Sequence, residues 1–431
     1  MTRTLFLSYD GMTDPLGQSQ VLPYLGGLSR EGFEVSLISF EKPDRLERNG
    51  AAIERVTRES GIAWHPLPYT RRPPVLSTVW DLARMRRHAE RLHARERFEL
   101  VHCRSYVPAL VGLGMKRRHG TRFVFDMRGF WADEKVEAGA WKLENPLFRS
   151  VYGFFKRREA DFVREADGIV SLTHAGFREM EGWAVRPAPG TPRRVIPCSA
   201  DFDLFTPPSA AEREAARAAL DLPGEAFVAA YLGSLGTWYM LDEMLDFFAV
   251  LRRKRPGSRL LFVTPDAPEP ILAAARERGI APGELVVRSA QRAEVPGFLA
   301  AADLGLFFIR PSYSKQSSSP TKLGELLAMG LPVVTNGGVG DVEPILDEVG
   351  GGVVVDGFDA AAYERAVDRL DAVLALPPRE IRERAMQVYD LRAAVDSYAG
   401  LYRSVLAGGA AVRPVGPPWK GSILPAEGET T

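Results

Sequence analysis

Short apolar runs alternate with helical stretches along almost the whole chain, and this alternation restricts the fold more than any other feature. In the first half, apolar runs predict strands at residues 5–8, 35–39, 100–103, 123–126 and 169–172. Stretches with helical periodicity separate them, at residues 20–30, 78–97, 107–118 and 148–165. Such a strand–helix–strand repeat predicts a parallel sheet that is covered by helices.

The alternation starts again after Phe205. Further apolar runs predict a second set of strands, at residues 226–232, 259–263, 285–287, 304–308, 332–334 and 352–355. The length of 431 residues suits two α/β domains of roughly 200 residues each. We therefore predict two Rossmann-like, doubly wound domains that face each other across a cleft, at residues 1–205 and 206–388. An amphipathic helix at 389–407 and a tail at 408–431, predicted to be disordered, complete the chain.

Composition argues against several classes of protein. Lys and Arg together number 55, as do Asp and Glu, so the net charge is zero and nothing indicates nucleic-acid binding. Cys103 and Cys198 provide neither a disulfide framework nor metal-ligand spacing, and each is expected to be a small buried residue. No long apolar run and no apolar leader is present, so we expect a cytoplasmic protein without a transmembrane span.

The segment 310–344 has the features of an anion site at the start of a helix. We expect Ser319 to cap this helix and Gly330 to follow its last residue. Lys322 lies in the first turn, where free N–H groups and the helix dipole also favour an anion. Glu325 follows three residues later on the same face, so the two side chains suit a phosphate that is attached to a ribose. An ordinary Lys–Glu pair on the surface of a capped helix is the alternative.

The run E-L-L-A-M-G-L-P-V-V, which begins at Glu325, resembles the donor-binding signature of the family 4 (group 1) retaining glycosyltransferases. That family has the GT-B fold, in which a C-terminal helix crosses back onto the first domain, and we expect the helix at 389–407 to do so here. The family's glutamate at this place binds the ribose of the nucleotide. The family pattern has two glutamates separated by seven residues; Glu325 stands at the place of the second, and Ser317 stands at the place of the first. The resemblance assigns donor binding to Gly233, Ser234, Arg310, Ser319, Lys322, Leu323 and Glu325.

The turn after the first strand of the second domain departs from the family pattern. Gly233 and the small residues beside it would let the backbone approach the donor diphosphate. The family often places an Arg directly after this glycine and a Lys a few residues later, but this chain has Ser234 and then Trp238 or Tyr239. The groups left to neutralise the diphosphate are backbone dipoles, Lys322, Arg310 and Lys315.

Polar residues also follow the strands of the first domain. Asp126 ends one strand, at a place where the family often has a residue that touches the donor sugar near the reacting centre. Arg128 could pair with it or hold a phosphate, and a purely structural Asp–Arg pair is the alternative. His102 ends the preceding strand and is a weaker candidate. Gly17 and Gln18 match the family's glycine-containing loop near the donor sugar and the acceptor, although a tight connection would also need glycine.

Asp201 and Asp203 form an Asp-x-Asp element that could suggest a metal–nucleotide site. The surrounding run, I-P-C-S-A-D-F-D-L-F, instead resembles the segment that links the two domains in the family. We therefore expect no metal ligand here and no metal or other cofactor.

The resemblance implies a hexosyltransferase-type enzyme that moves a sugar from a nucleotide-sugar to an acceptor hydroxyl with retained configuration. Catalytic roles fall to Asp126 and Lys322. The acceptor would be a saccharide or a lipid-linked molecule, in polysaccharide or glycolipid biosynthesis. A nucleotide-sugar epimerase on the same fold and a non-catalytic nucleotide-sugar-binding protein remain as alternatives.

The helix predicted at residues 78–97 has two distinct sides. Its core stripe is predicted from apolar residues at helical spacing: Val79, Leu82, Met85, Ala89 and Leu92. Arginines occupy another side: Arg84, Arg87, Arg91 and Arg95. This side could attach the protein peripherally to an anionic membrane, and a solvated arginine surface is the alternative.

Overall fold

The computed structural model describes residues 1–408 and contains two units, each with one parallel sheet. Among the described residues, the first unit comprises Met1–Pro197, the short segment Tyr313–Ser318 and residues 391–408. The second comprises Cys198–Ser312 and Ser319–Asp390. Residues 409–431 of the predicted tail lie outside the described part of the chain.

The sheet of the first unit has seven strands, in the order β3-β2-β1-β4-β5-β6-β7. The strands are β1 (Thr2–Ser8), β2 (Phe33–Glu41), β3 (Ile62–Pro68), β4 (Leu100–Arg104), β5 (Arg122–Asp126), β6 (Gly168–Ser171) and β7 (Arg193–Val195). Ser8 lies opposite Arg104, and Arg104 lies opposite Asp126. The residues that end β1, β4 and β5 therefore form one polar row at the carboxyl edge, where open α/β sheets bind ligands.

Helices cover both faces of this sheet. Along residues 1–197 they are α1 (Pro15–Gln20), α2 (Leu22–Arg30), α3 (Pro43–Glu59), α4 (Leu76–Glu96), α5 (Tyr106–His119), α6 (Trp131–Glu137), α7 (Pro146–Glu165) and α8 (His174–Glu181). Side chains alternate between the two faces of a strand. In β4, Val101 and Cys103 accordingly join one buried cluster, whereas Leu100 joins the other.

The sheet of the second unit has six strands, in the order β10-β9-β8-β11-β12-β13. The strands are β8 (Val228–Leu232), β9 (Arg259–Val263), β10 (Leu285–Arg288), β11 (Leu304–Leu306), β12 (Val333–Asn336) and β13 (Gly352–Val355). The helices are α9 (Ala210–Ala219), α10 (Leu241–Lys254), α11 (Pro268–Glu277), α12 (Val295–Leu299), α13 (Thr321–Ala328), α14 (Val342–Val349), α15 (Ala360–Asp368), α16 (Leu370–Leu374) and α17 (Pro378–Tyr389). Short 3₁₀ helices occupy Pro282–Glu284 and Arg292–Glu294 in this unit, and a third, Tyr313–Ser317, belongs to the first unit. Two doubly wound parallel sheets confirm the predicted fold class.

The last described helix, α18 (Leu391–Leu406), belongs to the first unit, as predicted for a helix that crosses back. It packs on α2, where Gly27 faces Val395. A Cβ atom at Gly27 would overlap the methyl groups of Val395. The absence of a side chain at Gly27 therefore allows the two helices to approach closely.

The sequence pattern did not indicate two edge strands, β3 and β7. Pro66 and Pro68 interrupt the pattern of β3, and proline is tolerated there because an edge strand has one unpaired side. β7 is only three residues long and carries two arginines. Both strands depend on the neighbouring strand rather than on their own periodicity.

The buried side of α4 is shorter than predicted. Val79 is 58% exposed, so the prediction that it joins the core is wrong. The helix begins at Leu76, and its first turns carry no member of the underlying cluster. Arg84 lies against Asp81 at 3.4 Å and so leaves the predicted arginine surface. Within residues 1–408, no helix combines the length and the apolar character that crossing a bilayer requires.

Candidate functional site

The helix α13 starts one residue later than predicted. Its N-cap is Pro320, which keeps an extended backbone with ψ of 115°. The predicted capping role of Ser319 is therefore wrong, and its hydroxyl oxygen instead accepts the backbone N–H of Cys198 at 3.1 Å. Gly330 follows the helix with a left-handed φ of +72°, in agreement with the prediction. The side chain of Leu323 is in the core, so only its backbone remains for a ligand.

Lys322 is buried in the first turn of α13, between two aromatic rings. Its Nζ lies 4.0 Å from the ring centroid of Tyr231 and 3.3 Å from that of Tyr239. No group of residues 1–408 accepts a hydrogen bond from this Nζ. Burial lowers the pKa of Lys322 well below its usual value, against the opposing effect of nearby carboxylates. The amino group is surrounded by aromatic rings, and an anion bound beside it would stabilise its protonated form.

The turn at Gly233 lies beside this lysine. Gly233 has φ of +102°, and a Cβ atom there would lie 3.5 Å from Nζ of Lys322. The next residues bind a carboxylate of the chain itself: the N–H of Leu235 and the hydroxyl of Ser234 donate to Asp266, at 2.6 and 3.2 Å. Gly233 thus lies next to Lys322, whereas the Ser234 side chain is hydrogen-bonded to Asp266.

Glu325 lies one turn after Lys322 and is only 7% exposed. Its direct partner is Arg292, whose Nη1 donates to Oε1 at 2.8 Å. Burial raises the pKa of Glu325, and the charges of Arg292 and Lys322 oppose that rise. The alternative of an ordinary surface Lys–Glu pair does not describe this arrangement, because both side chains are buried and the glutamate pairs with an arginine.

Arg310 is exposed and lies over the ring of Trp238, with 4.8 Å between its Cζ and the ring centroid. Its backbone N–H donates to the Trp238 carbonyl at 2.9 Å. Trp238, which stands where the family often has a cation, therefore makes a cation–π contact with Arg310. Lys315, by contrast, belongs to the first unit and binds Glu134 there at 3.2 Å.

In the first unit, Asp126 is buried and accepts hydrogen bonds on Oδ2 from His102 Nε2 at 3.2 Å and from the Tyr398 hydroxyl at 3.0 Å. His102 Nδ1 contacts the Tyr402 hydroxyl at 2.7 Å. These contacts assign the proton of a neutral His102 to Nε2, so that Nδ1 accepts from Tyr402. Oδ1 of Asp126 is buried and accepts no hydrogen bond from residues 1–408.

Charges around Asp126 keep it ionised. Burial alone would raise its pKa, but Arg128, at 3.9 Å, and the hydrogen bond from His102 outweigh that effect and hold the pKa below its usual value. Burial lowers the pKa of His102, so the ring is neutral. Arg128 has a left-handed φ of +54°, a strained backbone that is typical of functional sites. A small cavity beside Asp126 is lined by apolar side chains and by polar residues that include Gln20, Tyr24 and Arg104.

The loop after β1 is closed by an internal carboxylate. Glu41 is fully buried and accepts the backbone N–H groups of Met12 and Thr13, at 2.8 and 3.0 Å. Gly17 approaches the backbone of Met12 so closely that a Cβ atom would lie 2.6 Å from its Cα. Gln18 donates to the Thr13 carbonyl at 3.3 Å. Packing within the loop therefore already requires glycine at position 17.

Ser317 stands where the family has its first glutamate. It is fully buried, accepts the N–H of Phe130 and donates to the Ser314 carbonyl, both at 2.9 Å. The position belongs to the donor-binding pattern of the family, but in this chain Ser317 joins the segment Tyr313–Ser318 to the rest of the first unit.

The carboxylate of Asp201 accepts the backbone N–H groups of Asp203 and Leu204, at 3.0 and 3.1 Å. Asp201 thereby closes a turn, as short polar side chains often do in connecting segments. The Asp-x-Asp element has a structural use in this chain.

Several residues that contact the candidate residues were not singled out from the sequence: Tyr231, Arg292, Tyr398, Tyr402 and Asp266. Each contacts a candidate residue that is distant in the chain, so no local motif contains both. Tyr398 and Tyr402 did leave a signal, because they lie four residues apart on an amphipathic helix and carry polar ends.

A known protein family matches most of each unit. Residues 18–199 match the model of a glycosyl transferase 4-like domain, and residues 226–372 match that of the glycosyl transferases group 1. A D-inositol 3-phosphate glycosyltransferase of Segniliparus rotundus is 27% identical over 394 residues, which covers 85% of this chain and 83% of that protein.

Solved structures confirm the predicted GT-B fold. A sucrose-phosphate synthase from Thermosynechococcus elongatus has a TM-score of 0.68 at 17% identity, over 94% of this chain and 100% of that one. HepE of Anabaena, crystallised in complex with UDP-glucose, has a TM-score of 0.68 at 14% identity over the same shares.

Proposed function

This chain belongs to the group 1 glycosyltransferases, and we propose that it transfers a sugar from a nucleotide-sugar to an acceptor hydroxyl with retention of the anomeric configuration and without a metal ion. In this proposal the second unit binds the donor. Lys322, Arg310 and the turn at Gly233 and Ser234 bind the diphosphate, and Glu325 binds the ribose.

The main support is the buried ammonium group of Lys322. A buried charge without a hydrogen-bond acceptor is unfavourable, so a site of this kind is stabilised when an anion arrives. The N-terminus of α13 adds backbone N–H groups and a favourable dipole at the same place. A diphosphate also fits the small residue Gly233 beside Nζ, where a side chain would hinder its approach.

The proposed reaction proceeds on one face of the sugar. The bond between the anomeric carbon and the diphosphate breaks, the acceptor oxygen bonds to the same face of that carbon, and an oxygen of the leaving donor phosphate accepts the proton of the acceptor hydroxyl. Negative charge grows on the leaving diphosphate, and Lys322 and the α13 dipole stabilise it in the transition state. In the first unit we assign contacts with the sugar and the acceptor to Asp126, supported by His102 and Arg128, and to the loop that contains Gly17 and Gln18.

A two-stage experiment tests this function. Thermal unfolding is first measured with UDP-, GDP- and dTDP-sugars, because a ligand at 100 times its Kd stabilises the fold by about 2.7 kcal/mol. The donor that binds is then incubated in EDTA with saccharide and lipid-linked acceptors, and the anomeric configuration of the product is determined by NMR. We expect a retained configuration in EDTA. An inverted product, or strict dependence on Mn²⁺ or Mg²⁺, would contradict the proposal. An epimerised sugar without glycoside would indicate the epimerase, and binding without turnover a non-catalytic protein.

We also propose a peripheral contact with the cytoplasmic face of an anionic membrane, where a lipid-linked acceptor would be found. The N-terminal end of α4 exposes apolar side chains: Leu76 at 66%, Val79 at 58% and Trp80 at 57%. Exposed arginines accompany them: Arg71, Arg72, Arg87, Arg91 and Arg95. Tryptophan favours the membrane–water interface, and each cation near an anionic bilayer contributes about 1 kcal/mol.

A further inference from the structure

Arg292 and Glu325 connect two elements of the second unit that are 33 residues apart in the sequence. Arg292 begins the 3₁₀ helix that follows β10, and Glu325 lies on α13. Besides the 2.8 Å hydrogen bond to Glu325, the guanidinium group lies over the ring of Phe205, with its Cζ 5.4 Å from the centroid. Two independent contacts thus keep the arginine on the carboxylate, which is more than an exposed ion pair usually provides.

The ion pair with Arg292 involves one of the two carboxylate oxygens of Glu325. Arg292 donates to Oε1, and no group of residues 1–408 donates a hydrogen bond to Oε2. An ionised carboxylate oxygen can accept two hydrogen bonds. Oε2 can therefore accept both hydroxyls of a ribose without breaking the pair.

The carboxylate would be poorly suited to this task by itself. Burial favours its protonated form, which donates a hydrogen bond and has fewer lone pairs for hydroxyl groups. The positive charge of Arg292 opposes protonation, and its direct bond restricts rotation of the carboxyl group. Lys322, the other nearby cation, makes no hydrogen bond with Glu325.

We propose that Arg292 is a positioning residue for the donor: it fixes the Glu325 carboxylate so that Oε2 is left for the ribose hydroxyls, and it thereby favours ribonucleoside over 2′-deoxyribonucleoside diphosphate sugars. This inference rests on the ribose-binding role proposed above for Glu325. It requires no contact between Arg292 and the nucleotide.

The test compares Kd values for UDP and 2′-deoxy-UDP, with GDP and 2′-deoxy-GDP as a second pair, by calorimetry. Losing a hydrogen bond to a charged group weakens binding about tenfold or more, so the unaltered protein should prefer the ribonucleotide by that factor. Arg292→Ala should reduce the preference to within about twofold, as Glu325→Ala does. Arg288→Ala is the matched control and should keep the full preference, because among residues 1–408 the Arg288 side chain at the end of β10 bonds only to the Val287 carbonyl.

The double variant R292A/E325A separates the possible outcomes. If Arg292 acts through Glu325, the double variant binds UDP as Glu325→Ala does. If the losses of the two single variants multiply, Arg292 acts independently of Glu325 and the inference is wrong. The inference is also wrong if Arg292→Ala keeps the ribose preference while Glu325→Ala loses it, although the ribose role of Glu325 then stands. If Glu325→Ala keeps the preference, the ribose role itself fails. Arg292→Gln provides the same comparison if Arg292→Ala does not fold.

Discussion

The hydroxyl of Tyr398 donates a hydrogen bond to the carboxylate of Asp126 at 3.0 Å, across 272 residues of sequence. One turn later on α18, Tyr402 contacts His102 in the same way, at 2.7 Å. The last described helix therefore does more than cover the first sheet. It completes the polar group at the carboxyl ends of β4 and β5, to which we assign contacts with the sugar and the acceptor.

Tyr398→Phe should destabilise the protein by about 1.5–3 kcal/mol, because it removes one of the two side-chain hydrogen bonds that residues 1–408 donate to the buried, ionised carboxylate of Asp126. Urea unfolding measures this loss. If Asp126 contacts the reacting sugar, kcat should also fall, since the carboxylate loses a fixed orientation. Tyr363→Phe is the control, because the Tyr363 hydroxyl has no hydrogen-bond partner among residues 1–408. Equal stability of Tyr398→Phe and the unaltered protein would show that the bond to Asp126 contributes nothing.

Gly27→Ala should weaken the packing of α18 on α2. The new methyl group overlaps Val395, and overpacking of a buried contact typically costs about 1–3 kcal/mol. Val395→Ala removes the overlapping methyl groups, so the double variant should recover stability that Gly27→Ala loses. Midpoints of thermal unfolding measure both effects. If the second change adds to the loss instead of reversing it, the two residues are not in the contact described.

Local patterns account for the part of the candidate site that lies close together in sequence. Lys322 and Glu325 share one helix face, and their spacing is sufficient to place them together. Their partners, Tyr231 and Arg292, come from other strands and loops, and only the folded topology brings them near. The sequence predicts the N-cap at Ser319 instead of Pro320, because whether Pro320 is extended or helical depends on tertiary contacts. Here the relevant contact is the hydrogen bond from the Cys198 N–H to the Ser319 hydroxyl.

The fold was easier to predict because each central strand carries its own apolar pattern. The edge strand β3 does not, since half of its pairing is absent and prolines are tolerated. Val79 illustrates the opposite error: its helical spacing matches the buried apolar residues of α4, but at that end of the helix the buried residues are the polar Ser77 and Asp81. Periodicity shows which residues share a face, whereas the neighbouring elements decide how far along the helix that face is covered.

Lys322→Met should lower kcat about 100-fold or more, with weaker donor binding, because a preorganised charge that stabilises the leaving group is usually worth that much. Steady-state kinetics with the donor found in the binding screen would measure kcat and KM. Lys254→Met, at an exposed lysine paired with Asp368 at 2.5 Å, is the matched control. If only KM rises and kcat is unchanged, Lys322 binds the donor but does not stabilise the transition state.

Donor binding should depend on pH through the same lysine. Burial lowers the pKa of Lys322 in the free protein, and a bound diphosphate raises it again, so binding takes up a proton between those two values. Affinity for UDP should consequently fall as the pH rises through this window. The measurement is made above about pH 7, where the phosphate itself is already ionised. Calorimetry at pH 8 in two buffers with different ionisation enthalpies counts the protons. Proton uptake that persists in Lys322→Met would have to come from another group.

The exposed end of α4 should bind anionic vesicles and not neutral ones. Changing Leu76, Val79 and Trp80 together to Ser removes the apolar contact, and changing Arg87 and Arg91 to Gln removes two charges of about 1 kcal/mol each near the membrane. Co-sedimentation with anionic and neutral vesicles at low salt should show a loss of binding for both variants, and the arginine variant should lose the salt dependence more strongly. Leu147→Ser and Arg48→Gln are matched controls, since these residues are similarly exposed on other helices. Equal binding to both kinds of vesicle, or equal binding by variants and controls, would mean that this surface is solvated and that the acceptor is reached without it.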